Sequence, residues 1–266
     1  IYVHQRMDFL LLCMNQIVNM ASKIRYISSG EHSVPLVIRA AIGRSWGQGA
    51  QHSQALQSFF MHVPGLKVIA PTTPHDVKGG LIASIRDKNP VIFVEHRMLY
   101  KNAGYVPSDT YEIQFGKGRV LRKGNDITIV GVSHSVEDSL RAADLLKEVG
   151  VNSEVIDPIS LSPIDNKIIR DSVNKTKKLL VVDNGWMTCG FSAEIIADIA
   201  VHCENISCQR LGFSDTPCPT TPTLEKYFYP NPQSIAKKAN EMCGGDSKWS
   251  PPEVVQHEIL SFKGPF

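Results

Sequence analysis

Residues 127–149 read ITIVGVSHSVEDSLRAADLLKEV, and this stretch decides the fold class. Ile127 to Val132 is a short, continuous apolar run. Such a run suits a strand covered on both faces, which has no solvent side to demand alternation. A helix follows from Val136 to Val149, with Ser135 and Asp138 as a capping pair at its start. The same alternation continues downstream. Ser153 to Ile156, Leu179 to Val182 and Ser207 to Leu211 read as strands. Helices run over Asn166 to Val173, Ser192 to His202 and Pro232 to Met242. Short buried strands separated by helices predict a parallel sheet with helices on both faces.

The amino-terminal half repeats the pattern. Leu10, Met14, Ile17, Ala21 and Ile24 recur at helical spacing, so residues 7–28 predict a helix stopped by Gly30. Val34 to Arg39 is a strand, and Gly43, Gly47 and Gly49 mark a loop over 41–50. Ser53 to His62 predicts a short helix and Leu66 to Ala70 a strand ended by Pro71. Thr73-Pro74 opens a helix to about Arg86, because proline fits the first helical turn. Val91 to Glu95 is a further buried strand. The Gly- and Pro-bearing residues 105–124 read as a linker. The expectation is α/β with two doubly wound domains, over 1–104 and 125–243, followed by a loosely held polar tail over 244–266.

Composition narrows the function classes. Apolar residues make up 42% and charged residues 20%, the balance of a globular chain. A net charge of +2 gives no electrostatic footprint for nucleic acid or anionic lipid. The apolar run Phe9 to Met14 is too short to span a bilayer. The six cysteines form no C-x-x-C pair, so free thiols in a reducing compartment are expected rather than zinc or a disulfide framework. That points to the cytoplasm, or to the mitochondrial matrix in a eukaryote. The chain begins at Ile1 without a leader pattern, so a fragment or processed product is expected.

Candidate chemistry gathers in the loop after the strand ending near Arg39. Ligands bind at the carboxyl ends of strands in open α/β sheets, which brings forward Arg44, Trp46, Gln48 and His52. A histidine there can move a proton or make polar contacts, or it can simply cap and pack. Ser133-His134-Ser135 invites a catalytic-serine reading, but it lacks a glycine-flanked elbow and an acid partner. Helix capping explains it better.

Four ordered blocks carry a resemblance. Val34-Pro-Leu-Val-Ile-Arg39, Gln51-His52-Ser53-Gln54, Val63-Pro-Gly-Leu-Lys-Val68 and Ile85-Arg-Asp-Lys-Asn-Pro90 closely resemble the beta subunit of pyruvate and branched-chain 2-oxoacid dehydrogenases. Glu154-Val-Ile-Asp157, Ser162-Pro-Ile-Asp165 and Gly190-Phe-Ser-Ala-Glu194 resemble that family's carboxy-terminal domain. The resemblance spans residues 5–243. It implies a partial transketolase-like pyrimidine-binding domain followed by a transketolase C-terminal-like domain. It further implies an oxidoreductase that decarboxylates a 2-oxoacid and passes the acyl unit to lipoamide. Thiamine diphosphate would be shared with an alpha subunit whose Gly-Asp-Gly motif holds the diphosphate and magnesium. This sequence contains no Gly-Asp-Gly, as the beta role requires. An alpha2-beta2 assembly and docking to a lipoyl acyltransferase core are implied, with this chain inactive alone.

The resemblance also assigns residues. Phe9 matches the aromatic position against the aminopyrimidine ring, where helix core is the other reading. His52 matches the active-site histidine. Leu36, Ser84, Ile85, Asp87 and Asn89 match positions around a structural potassium ion in some members, and an ordinary capped helix end is the alternative there. Three departures stand. The activating glutamate has no counterpart, so it is expected on a segment upstream of Ile1, and Asp8 is not promoted in its place. The carboxy-terminal segment reads Asp157-Pro-Ile-Ser-Leu161 where the family carries an arginine. Asp215-Thr-Pro-Cys-Pro-Thr-Thr221 also differs. Two alternatives follow: a two-part transketolase-like ketol transferase, or a non-catalytic stabilising subunit.

Overall fold

The computed structural model describes residues 1–44 and 47–256. Two five-stranded sheets form its frame, each flanked by helices. The first half runs β1 (Tyr2–His4), 3-10 turns over Met7–Cys13, a π-helical stretch over Gln16–Ala21, α1 (Ile24–Ile27) and β2 (Val37–Ile42). It continues through α2 (Gly49–His52), α3 (Gln57–Met61), β3 (Lys67–Ile69), α4 (Pro74–Arg86) and β4 (Val91–His96), then a 3-10 turn over Arg97–Leu99. The second half runs β5 (Arg119–Arg122), β6 (Ile127–Gly131), α5 (His134–Glu148), β7 (Ser153–Asp157) and β8 (Ser160–Ser162). Then come α6 (Asn166–Thr176), β9 (Lys178–Trp186), α7 (Phe191–His202), β10 (Ser207–Phe213), α8 (Pro222–Glu225) and α9 (Pro232–Met242).

The first sheet has the order β1-β2-β4-β3-β8 and the second β10-β9-β6-β7-β5. Every pairing is parallel except β3 with β8 and β5 with β7. β6 and β7 are buried end to end and β4 is buried except at Glu95, as strands covered on both faces are. Thr128, the polar exception in β6, bonds Ser172 at 2.6 Å and Thr176 at 2.8 Å, so its hydroxyl is satisfied. Fully buried Phe60, Phe93 and Phe191 anchor the layers. Each such side chain contributes about 1.5–3 kcal/mol by leaving water.

Where sequence and structure differ, local geometry gives the reason. The predicted helix over 7–28 is helical throughout most of its length but changes winding from 3-10 to π to α. The expected helix over 53–62 is shorter, with only Gln57–Met61 of α3 helical, and the turn of α2 before it starts inside the expected loop over 41–50. Ser135 does not cap α5: the cap position is Ser133, in a left-handed conformation and without a side-chain capping bond. Within the expected linker, residues 119–122 form an edge strand, and three residues of the second unit, Ser160–Ser162, complete the first sheet. Short edge strands of mixed polarity leave little periodicity to read. The tail through 256 also packs more firmly than its composition suggests. Trp249 and Val254 lie on the second core, and Gln256 bonds Arg44 at 2.9 Å and Asp138 at 2.5 Å. No helix among the described residues is long and apolar enough to cross a membrane.

Candidate active site

The carboxyl end of β4 meets the start of α5, where the first sheet joins the second unit. Met7 and Leu10 are fully buried against the sheet, which turns Phe9 outward. Phe9 therefore stays 42% exposed. His52 ends the single turn of α2. The loop leading to it is held close by glycine: Gly47 and Gly49 have φ of 67° and 73°. A Cβ on Gly47 would stand 2.2 Å from the Thr220 carbonyl oxygen. No other residue fits that approach.

These elements bring three side chains together. The His52 ring centroid lies 5.4 Å from that of Phe9, tilted by 41°. His52 Nδ1 lies 3.0 Å from Asp8 Oδ2. An ionised carboxylate only accepts, so Nδ1 donates and the lone pair sits on Nε2. Asp8 is largely buried while the imidazole is 44% exposed. A buried acid thus fixes the tautomer and orientation of a half-exposed base, an arrangement suited to proton transfer. Asp8 is not promoted by the sequence, because its position does not match that of the family's activating glutamate; the contact with His52, 44 residues on, comes from the fold, with Asp8 in the 3-10 stretch Met7–Cys13.

Further residues line this edge. The His96 and His134 rings stack at 4.7 Å and 11°, joining the two units. Burial, with His134, Arg44 and Arg6 nearby, drives the His96 imidazole well below its ordinary value. It is therefore neutral, and its Nδ1 accepts from the Met98 amide at 3.3 Å. Arg6 is 4% exposed, and neither terminal nitrogen has a hydrogen-bond partner among the described residues. Burial and then Arg97 lower its guanidinium to about 10, against Asp8, which supports the charge. Arg44 lies 5.0 Å over the Tyr229 ring. Gln48 sits half-buried in the same loop, and Trp46 lies outside the described residues.

Leu36, Ser84, Ile85, Asp87 and Asn89 meet at the end of α4, where Val91 N–H donates to the Leu36 carbonyl at 2.8 Å. Asp87 accepts from the Asn89 amide at 2.8 Å and from Lys67 Nζ. Burial pushes its carboxyl up, but Lys67 and Asn89 outweigh that and hold it below its usual range. Ser84 Oγ donates to the Gly80 carbonyl at 2.6 Å. The Asp87 carboxylate thus already accepts from the Asn89 amide and pairs with an ammonium.

Known proteins share this layout. Residues 1–102 match the transketolase pyrimidine binding domain, and residues 116–235 match the transketolase C-terminal domain. The beta subunit of acetoin:2,6-dichlorophenolindophenol oxidoreductase from Cupriavidus necator is 40% identical over 243 residues, 90% of this chain and 71% of that protein. The pyruvate dehydrogenase E1 component subunit beta of Porphyra purpurea is 42% identical over 232 residues, 86% of this chain and 70% of its own. This chain belongs to the E1 beta-subunit family. The 2-oxoisovalerate dehydrogenase subunit beta of Bacillus subtilis, 37% identical over 241 residues, is another relative, covered over 74% of its length. A split-gene transketolase solved as an inactive beta4 tetramer shares the fold, with a TM-score of 0.69 at 19% identity over 86% of this chain and 73% of its own. The fold expected from the alternating pattern, and the beta-subunit family expected from the four blocks, are both found.

Proposed function

We propose that this E1 beta-type chain forms the pyrimidine side of a thiamine-diphosphate-dependent 2-oxoacid dehydrogenase component and works only with an alpha subunit. The observation that carries this reading is the Asp8–His52 pair at 3.0 Å beside the exposed ring of Phe9. An aromatic face with a fixed base next to it suits a planar aminopyrimidine: Phe9 would hold the ring by stacking, and His52 would face the reacting atoms. When bound, the cofactor supplies the carbon nucleophile and electron sink for decarboxylation. The protein's part is to orient, to exclude water and to move protons at His52 Nε2. The diphosphate and magnesium fall to the alpha subunit's Gly-Asp-Gly motif. An alpha2-beta2 assembly, with a lipoyl acyltransferase core as acceptor, completes the proposal. The carbonyls of Leu36, Ser84, Ile85 and Asn89 with Asp87 would take potassium, displacing the Lys67 contact. Hard oxygen donors suit such a cation. Melting in potassium against sodium chloride tests this, and equal curves would remove the site.

The acetoin oxidoreductase relative from Cupriavidus necator favours a second reading, in which the donor is a 2-hydroxyketone rather than a 2-oxoacid. The test is co-expression with an alpha subunit and assay of pyruvate, 2-oxoisovalerate and acetoin, with dichlorophenolindophenol or lipoamide as acceptor. Thiamine-dependent turnover of a 2-oxoacid supports the proposal, and turnover of acetoin alone replaces it. In the assembly, His52→Ala should lose about 100-fold or more of turnover. Unchanged turnover would remove His52 from the mechanism.

A further inference from the structure

A cavity of about 350 Å³ opens along the α4 side of the first sheet, and its lining reaches Val94 and His96 at the carboxyl end of β4. Away from that end the two faces of the sheet carry different packing. Ile38, Ala40 and Ile42 of β2 pack with Met7 and Leu10, whereas Val37 and Phe93 pack with Leu81 of α4. Arg39 shares the Val37 face by strand alternation. The inner walls of the cavity come from Val77 and Leu81 of α4, and the outer wall from Leu99 and Val106. That outer wall is pinned down. Lys78 Nζ donates to the carbonyls of Pro107, Ser108 (3.1 Å) and Asp109 (2.9 Å).

One end of the cavity is polar. Glu95 accepts from Arg39 Nε at 2.5 Å and from the Tyr100 hydroxyl at 3.1 Å. Its carboxylate is 12% exposed, and each oxygen already accepts one hydrogen bond. Arg39 has only its Nε committed; among the described residues no hydrogen bond engages its terminal nitrogens. Arg39 and Lys78 against Glu95 leave the lining with a net positive charge. A planar guanidinium edge over apolar walls matches a carboxylate with an apolar tail. The volume falls in the range of small-molecule sites and holds about a dozen non-hydrogen atoms at ~30 Å³ each.

We propose that this cavity is a second ligand site, whose lining does not include the Phe9–Asp8–His52 cluster and shares only His96 with the edge beside it, and which takes a small carboxylate: the carboxylate on the terminal nitrogens of Arg39 and the apolar tail along Val77, Leu81, Leu99 and Val106. The probe is octanoate, titrated calorimetrically into the full chain, with octanamide as its uncharged counterpart. Octanoate should bind saturably. Octanamide should bind at least about tenfold more weakly, as should octanoate to Arg39→Gln, since each loses a charge-assisted pair. Leu81→Trp fills the cavity and should abolish binding. Val77→Phe, at a partly exposed helix position, does the same with less risk to folding. His52→Ala should bind octanoate like the wild type, so this site stands or falls apart from the thiamine reading. Equal binding of acid and amide, retained binding in both filled variants that melt like the wild type, or no saturable binding would overturn the proposal.

Discussion

Asp8 and His52 show how much a single side chain's meaning depends on its neighbour. His52 in sequence is a loop histidine with a choice of roles. Beside Asp8 Oδ2 at 3.0 Å its tautomer is set, and its free nitrogen points away from the acid. Asp8→Asn keeps the shape but offers an amide in place of the carboxylate. In the assembled enzyme it should lower kcat by about 10- to 100-fold, with little effect on the thiamine diphosphate concentration that gives half-maximal rate. Phe9→Ala should do the reverse. Losing a stacking contact of about 0.5–1.5 kcal/mol raises that concentration by roughly two- to tenfold, with a smaller change in kcat. Rate measurements over a cofactor titration separate the two. A Phe9 variant with unchanged cofactor dependence would return Phe9 to ordinary helix packing.

Elements obey stricter local rules. α9 starts with a capping box: Asn231 Oδ1 accepts from the Ser234 amide at 2.9 Å, and Ser234 Oγ accepts from the Asn231 amide at 3.0 Å. Pro232 occupies the first turn, so the helix boundary was readable from Asn-Pro alone. Asn231→Ala should cost about 1 kcal/mol and lower Tm by ~2–4 °C, measured by calorimetry at neutral pH. α4 and Pro74 follow the same logic, with Thr73 accepting from the Asp76 amide at 3.2 Å. The Met7–Ala21 stretch does not. Its apolar spacing predicts a helix, but spacing does not encode 3-10 or π winding. That choice comes from seating Met7, Leu10 and Ile17 on the sheet at once.

At the scale of the whole molecule, a buried polar joint between the two units includes Asp157. It is fully buried at the end of β7, with one carboxylate oxygen bonded to the Ile159 amide at 2.9 Å and the other without a partner among the described residues. Thr72 of the first unit donates to the Ser133 carbonyl of the second at 3.3 Å. Burial raises the Asp157 carboxyl to about 7; the hydrogen bond from Ile159 opposes this and Asp76 adds to it. Its folded value lies above the unfolded value of about 3.9. The stability it contributes is therefore fully present below about pH 3.9 and is lost as the pH climbs to about 7. Asp157→Asn should melt above the wild type at pH 8, by about 1 kcal/mol or more. The gap should shrink toward pH 5. Calorimetry at the two pH values decides it, and a gap that widens on acidification would refute the assignment.

The sequence by itself determined the α/β alternation, the central strands, α4 and α9, the family, and the candidacy of Phe9 and His52. Those features rest on local signals: unbroken apolar runs, caps, proline at a first turn, and ordered blocks of residues. Only the tertiary structure decided that Asp8 serves His52, that His96 stacks on His134, and that Ser160–Ser162 complete the first sheet. It also decided that the tail reaches Arg44 and that Arg39 borders a cavity. Each of these joins residues far apart in the chain. Contacts of that kind are set by how the sheets and helices pack, and no neighbouring residue announces them.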